Sequence, residues 1–134
     1  MTHAEKLTDD EAFMNQRQLD YFRQKLLAWR YDLLKEINGT LQLLQDENQN
    51  HRDFMDRASS ETDRAIELRA RDRTRKLIVK IDAALRRIED GTYGYCEETG
   101  EPISIKRLDA RPIATLSIEA QERSERFDRF YRDE

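Results

Sequence analysis

The sequence predicts a mainly α-helical protein: a long antiparallel coiled-coil hairpin with a small zinc-finger-like globular knob and a C-terminal helix. Three observations predict it. Charged residues make up 39% of the 134 and apolar ones 37%, too few for a large interior but suited to solvated helices packed along narrow seams. Apolar residues recur at alternating spacings of three and four along two long stretches. A polar, turn-prone run separates these stretches, and both prolines lie in the segment that follows them. The organisation read from this pattern is an N-terminal segment or short helix over 1–16, a hairpin over 17–90 with its tip at about 50–58, and a knob with a last helix over 91–134.

Taken in order, Thr8 and Glu11 have capping-box spacing and predict a short helix through Met14. Leu19, Phe22, Leu26, Trp29 and Leu33 then form an a/d-like stripe that Ile37, Leu41 and Leu44 continue. Asn38-Gly39 interrupts the stripe, and Asn-Gly often makes a hairpin turn. Because the stripe persists on both sides, one helix is expected, at a cost of about 1 kcal/mol for the glycine. Past Gln45 the chain becomes polar as far as Asp53. A second helix is expected from about Arg57 to Glu89, with apolar positions Ile66, Leu68, Leu77, Ile78, Ile81, Leu85 and Ile88. Opposite charges four apart, Glu67/Arg71 and Asp72/Lys76, support it, and Asp90-Gly91 is its expected stop. The knob, from Thr92 to Thr115, has β-prone runs such as Ile103-Ser-Ile105. A last helix is predicted from Ser117, its N-cap, to about Arg132, with Phe127, Phe130 and Tyr131 on a face that packs inward.

Composition excludes several classes of function. A net charge of -4 argues against DNA as the main partner, because neutralising phosphates calls for a basic balance. A single cysteine, Cys96, rules out an intramolecular disulfide and fits a reducing compartment. No apolar run approaches the ~18 residues of a membrane-spanning helix, and residues 1–10 lack a signal-peptide core. The expectation is a cytoplasmic monomer that does not engage a membrane. There is no glycine-rich phosphate loop, no nucleophile elbow and no histidine beside an acid or cysteine, so no enzyme is predicted.

The segment Tyr93-Gly-Tyr-Cys96-Glu-Glu-Thr99-Gly resembles the first half of a zinc finger. Zinc would require ligands at Cys96, Thr99, Ser117 and Ala120. The spacing is intact, with 17 residues between Thr99 and Ser117 and two between Ser117 and Ala120, but three of the four thiols are gone. One thiolate and two alcohols cannot hold tetrahedral zinc at useful affinity, so no metal is expected. Cys96 is either a residual metal or redox thiol or a semi-buried packing residue, and the second reading is preferred. The knob is then held by packing among Tyr93, Tyr95, Ile103, Ile105, Leu108, Ile113, Leu116 and Ile118.

Several motifs together resemble the DksA/TraR family. They are Trp29-Arg30, Asp53-x-x-Asp56-Arg57-Ala58, Glu67-Leu68-Arg69, Arg71-Asp72-Arg73, Lys76-Leu77-Ile78, Gly94-Tyr95-Cys96-Glu97 and Arg107-Leu108-Asp109-Ala110-Arg111-Pro112. The cysteine pattern departs from the zinc-containing members and resembles the zinc-independent paralogues. The resemblance implies a regulator that binds RNA polymerase, inserts its hairpin into the secondary channel and acts with the alarmone ppGpp on promoter complexes, without reading a DNA sequence. It implies that Asp53, Asp56 and Ala58 form the tip near the polymerase active site. It implies that Leu77, Lys80 and Arg111 help form a ppGpp site against polymerase, with Arg107 a further polymerase contact. A third basic position of that site is Gln121 here. From the residues alone, Asp53 and Asp56 also read as an N-cap and its third-position partner, and both roles can hold together. The basic stretch Arg69, Arg71, Arg73, Arg75, Lys76 and Lys80 also reads as a solvated face. Two further classes compete: a Gre-like transcript-cleavage factor whose carboxylates hold magnesium, and a plain coiled-coil scaffold.

Overall fold

In the computed structural model the described backbone comprises residues 12–50 and 54–132, with side-chain surroundings described over 12–39 and 61–130. Four helices follow in order: α1 (Gln16–Asn50), α2 (Phe54–Asp90), α3 (Ile105–Ala110) and α4 (Ile118–Arg132). The described residues hold one isolated antiparallel bridge, Tyr95 to Pro102, and no strand. The chain divides into two compact units: one takes α1 up to Leu26 and everything from Ala83 onward, the other Leu27–Asp82.

The Leu27–Asp82 unit is an antiparallel helix pair. Arg30 Nε donates to Asp82 Oδ1 at 2.7 Å, and Glu36 and Ile37 line a small cavity with Ala70, Arg71 and Thr74. The paired numbers keep a nearly constant sum, which is the register of two helices running in opposite directions. On α1, Leu33 is buried and Trp29 and Ile37 are half-buried, as the stripe predicts. The helix runs unbroken through Asn38-Gly39. On α2, Ile78 and Ile81 are buried, but Ile66 and Leu68 are 56% and 39% exposed and do not belong to the seam. Continuing the spacing back from Ile81 and Ile78 leads to Thr74, Arg71 and Glu67, so this part of the seam is polar. Thr74 is buried, its hydroxyl donating to the Ala70 carbonyl at 3.0 Å. Glu67 Oε2 and Arg71 Nε are buried there without a hydrogen-bond partner.

The other unit packs the start of α1 and the end of α2 with α3, α4 and their loops. Its core is Phe22, Leu26, Ala84, Ile88, Tyr93, Cys96, Ile103, Ile105, Leu108, Ile113, Ala114 and Ala120. Three expected members fall away: Tyr95 and Ile118 are 40% and 49% exposed, and Leu116 is half-buried. On the aromatic face of α4, Phe127 and Phe130 are 60% and 64% exposed rather than buried; Tyr131 lies outside the described side chains.

Local chemistry explains the boundaries. Asn15 caps α1 by accepting from the Gln18 N–H at 2.9 Å, while the wholly buried Gln18 side chain accepts from the Met14 N–H at 2.6 Å. This reciprocal pairing starts the helix. The expected short helix through Met14 lies mostly outside the described residues, and its described end, Ala12–Met14, is a turn with Met14 at φ 51°. α2 ends as expected at Asp90, with Gly91 at φ 80° and the Arg87 carbonyl accepting from the Thr92 and Tyr93 N–H groups. α3 replaces the expected β-prone run: Ser104 accepts from the Arg107 N–H at 3.2 Å and converts Ile105 into a helix start. Ser117 caps α4 in the same way, through the Ala120 N–H at 3.2 Å.

Candidate functional site

The residues singled out in the sequence fall into three groups. The first is the connection between α1 and α2. Asp53 lies outside the described residues, while Asp56 and Ala58 are the third and fifth residues of α2, in its first two turns. The second group is on α2 within the Leu27–Asp82 unit. Leu77 is half-buried toward the seam and Lys80 is exposed. Arg69, Arg73, Lys76 and Lys80, spaced four, three and four apart, are all exposed and form one basic line along the helix. The third group, Arg107 and Arg111, lies on α3.

The structure brings Arg107 and Arg111 together one turn apart, with the Arg111 N–H donating to the Arg107 carbonyl at 2.8 Å. Their surroundings differ. Arg107 is half-buried and its Nε donates to the Leu116 carbonyl at 2.9 Å, tying α3 to the loop before α4. Arg111 is the exposed C-cap of α3. Gln121 on α4 donates from Nε2 to Glu125 Oε1 at 3.1 Å.

A polar cluster that the sequence reading did not pick out ties α3 to α1. Tyr21 Oη donates to Asp109 Oδ1 at 2.5 Å. Lys25 Nζ donates to both Asp109 Oδ1 at 2.7 Å and the Asp109 carbonyl at 2.6 Å, and lies 5.7 Å from the Tyr21 ring centre. That carbonyl is in the last turn of α3, where helical carbonyls lack intrahelical partners, so Lys25 caps the helix from another element. The hydrogen bonds from Lys25 and Tyr21 hold the Asp109 carboxyl below its ordinary range. The bond to Asp109, helped by burial and its charge, pushes the Tyr21 hydroxyl up to about 12. The only hint in the sequence was the position of Asp109 inside Arg107-Leu-Asp-Ala-Arg-Pro112.

Around the zinc-finger positions the fold converges although the ligands do not. Cys96 is 2% exposed and Ala120 is fully buried. Burial pushes the Cys96 thiol up, but the Thr99 hydroxyl and the N–H groups of Ser117, Thr99 and Glu98 aim at the sulfur and bring it down to about 6. Cys96, Thr99 and Ser117 are therefore neighbours. The Thr99 hydroxyl also accepts from the Glu101 N–H at 3.2 Å, and Ser117 Oγ is committed to capping α4. Further ties close the knob. Glu97 N–H donates to the Thr115 carbonyl at 2.9 Å, Cys96 N–H to the Glu101 carbonyl at 2.8 Å, and the Tyr93 hydroxyl to the Pro112 carbonyl at 2.7 Å.

Residues 18–88 match the family described as DnaK suppressor protein DksA, N-terminal domain, and residues 91–126 match the prokaryotic dksA/traR C4-type zinc finger. The chain is 66% identical over 127 residues to the RNA polymerase-binding transcription factor DksA of Caulobacter vibrioides, covering 95% of this chain and 89% of that one. It is 48% identical over 111 residues to the protein of the same name from Escherichia coli K12, covering 83% and 74%. The solved structure of transcription factor DksA2 from Pseudomonas aeruginosa superimposes with a TM-score of 0.85 at 46% identity, covering 91% of this chain and 94% of that one.

The second match implies a zinc ion, and the donor set does not fit one. A thiol, two hydroxyls already accepting backbone N–H groups and a methyl group stand where four thiolates are needed. Among the described residues no cluster of three or more His, Cys, Asp or Glu offers a substitute. Because the N-terminal domain match spans more than half of the sequence and relatives align along nearly all of it, the chain belongs to the DksA family.

Proposed function

We propose that this chain binds RNA polymerase, enters its secondary channel with the α1–α2 hairpin and, together with ppGpp, alters the stability of promoter open complexes, inhibiting ribosomal-type promoters in the stringent response without zinc. The observation that carries the reading is the joint retention of the tip motif Asp53-x-x-Asp56-Arg-Ala58 and the knob motif Arg107-to-Pro112 in a chain 66% identical to a protein named for polymerase binding. An antiparallel helix pair is narrow and stiff, so little conformational freedom is lost when it enters a channel. Asp53, just before α2 in the sequence, and Asp56, in the first turn of α2, are carboxylates of the kind that influence a magnesium centre and its basic side chains. Lys80 and Arg111 supply the ammonium and guanidinium groups that pyrophosphates call for, and the exposed basic line on α2 supports contact with an acidic surface. In this role the protein is a cytoplasmic regulator and not an enzyme.

The test is in vitro transcription from a ribosomal promoter with purified polymerase, with and without ppGpp, in chelator. The wild-type protein is expected to inhibit and ppGpp to deepen the inhibition. Exchanging Asp53 and Asp56 for asparagine is expected to abolish promoter control while polymerase binding is kept. If the double variant behaves as wild type, or if the protein drives robust cleavage of RNA in stalled complexes, the reading fails.

A further inference from the structure

We infer that Tyr21, Lys25 and Asp109 are positioning residues that hold Arg111 ready for ppGpp; this deepens the function proposed above and rests on Arg111 meeting that effector. Arg111 is bracketed by two anchors. Two residues before it, Asp109 is fixed to α1 through its carboxylate by Tyr21 and through both carboxylate and carbonyl by Lys25. Immediately after it, the Pro112 carbonyl accepts from the buried Tyr93 hydroxyl at 2.7 Å. Between these anchors the Arg111 N–H closes the last turn of α3 on the Arg107 carbonyl. The side chain itself is exposed, so the chain invests its fixed contacts in the backbone around Arg111 and leaves the guanidinium available.

A helix of six residues has little stability of its own, and its direction is set by what it is tied to. Leu108 and Ile105 bury one side of α3, and Asp109, one turn after Ile105 and next to that side, ties it to α1 through Tyr21 and Lys25. A cation held in this way loses less freedom when a diphosphate arrives than one on a loose turn. The ties are partly exposed, at 38% for the Lys25 side chain and 48% for Asp109, so they are worth little as stability and their removal leaves the fold standing. Besides capping the last turn of α3, these three side chains fix the backbone two residues before Arg111, which is where control of that arginine's conformation would be exerted.

Two routes cut the tie from opposite sides: Asp109→Ala on α3, and Tyr21→Phe with Lys25→Met on α1. The readout is the ppGpp concentration giving half of its effect on ribosomal-promoter transcription, alongside ppGpp-free inhibition, polymerase affinity and melting temperature. Each route is expected to raise the ppGpp midpoint by about two- to tenfold, the factor for ordering one long side chain. The triple variant should move no further, because both routes remove the same constraint. Inhibition without ppGpp, polymerase affinity and melting should stay at wild-type values. Arg111→Ala, assayed in parallel, is expected to lose most of the ppGpp response. If Arg111→Ala weakens that response and neither route moves the midpoint, the positioning role is wrong. If Arg111→Ala leaves the response intact, the effector reading beneath it is wrong as well.

Discussion

Tyr93→Phe asks how the knob stays closed without a metal. Tyr93 is 1% exposed, its ring lies 5.5 Å from that of Phe22 on α1, and its hydroxyl donates to the Pro112 carbonyl at 2.7 Å. Phenylalanine keeps the ring and its packing and removes only the donor. Pro112 is itself buried, so the abandoned carbonyl is poorly placed to recruit water. An unsatisfied buried acceptor costs about 1–3 kcal/mol. For a domain of this size that is a fall in melting temperature of roughly 4–10 °C, followed by calorimetry or near-ultraviolet circular dichroism in EDTA. A second signature is alkaline. Burial holds the Tyr93 hydroxyl protonated above the ordinary tyrosine range, so the folded state binds its proton more tightly than the unfolded chain does. That contribution is complete below about pH 10, where unfolded tyrosine ionises, and is lost as pH rises beyond it. The variant should therefore melt lower at neutral pH and lose less stability on going alkaline. A melting temperature within a degree of wild type, with an unchanged alkaline limb, would refute the idea that this bond carries the closure.

Three further outcomes are expected. Gly94→Ala should destabilise the knob by about 1–2 kcal/mol from its backbone alone, because Gly94 sits at φ 93°. Its added Cβ would also lie 3.1 Å from Met14 Cε and Phe13 Cζ, displacing the edge-to-face contact of Phe13 with Tyr95; calorimetry measures the loss, and an unchanged melt would contradict it. EDTA should leave the wild-type melting temperature unchanged and added zinc should not raise it; a loss of helicity on chelation would sink the metal-free reading. Exchanging Glu67 and Arg71 together for leucine should stabilise the Leu27–Asp82 unit by about 1–4 kcal/mol in urea unfolding, since the polar atoms buried there lack partners; a lower midpoint would show that they contribute net stability.

How much of this fold could be read from the sequence depended on whether register or residue type decided the outcome. The α1 seam was legible because Phe22, Leu26, Trp29, Leu33 and Ile37 agree in both. One helix through Asn38-Gly39 is expected and found: a Cβ at Gly39 would meet nothing within 4 Å, so the glycine answers no tertiary demand and costs only propensity. On α2 the two signals disagree. Ile66 and Leu68 are apolar but off register, whereas Glu67, Arg71 and Thr74 are polar and on it, and the geometry of the pair follows register. In the knob, Ile103 and Ile105 alternate as in a strand, and both are buried. The Ser104 cap between them gives a helix instead, because six residues take their form from what they pack on rather than from propensity. The Asn15/Gln18 cap could have been read, as its spacing is the same as that of Thr8/Glu11, and the full burial of Gln18 strengthens it.

The candidate site was legible only where chemistry is written in residue types. Lost thiols are visible in any sequence, but what closes the knob in their place is not. The ties that do so join Arg107 to Leu116, Glu97 to Thr115 and Tyr93 to Pro112, and in each the acceptor is a backbone carbonyl, which no residue type announces. All three land on residues 112–116, the stretch leading into Ser117, where a metal finger would place its second pair of ligands. Zinc can join two loops at a single point and is indifferent to the side chains between them. Three separate hydrogen bonds demand that the whole stretch hold one conformation. A metal-free knob should therefore be less tolerant of substitution at Tyr93 and Arg107, and of insertion between Pro112 and Ser117, than a finger in which four thiolates carry the closure.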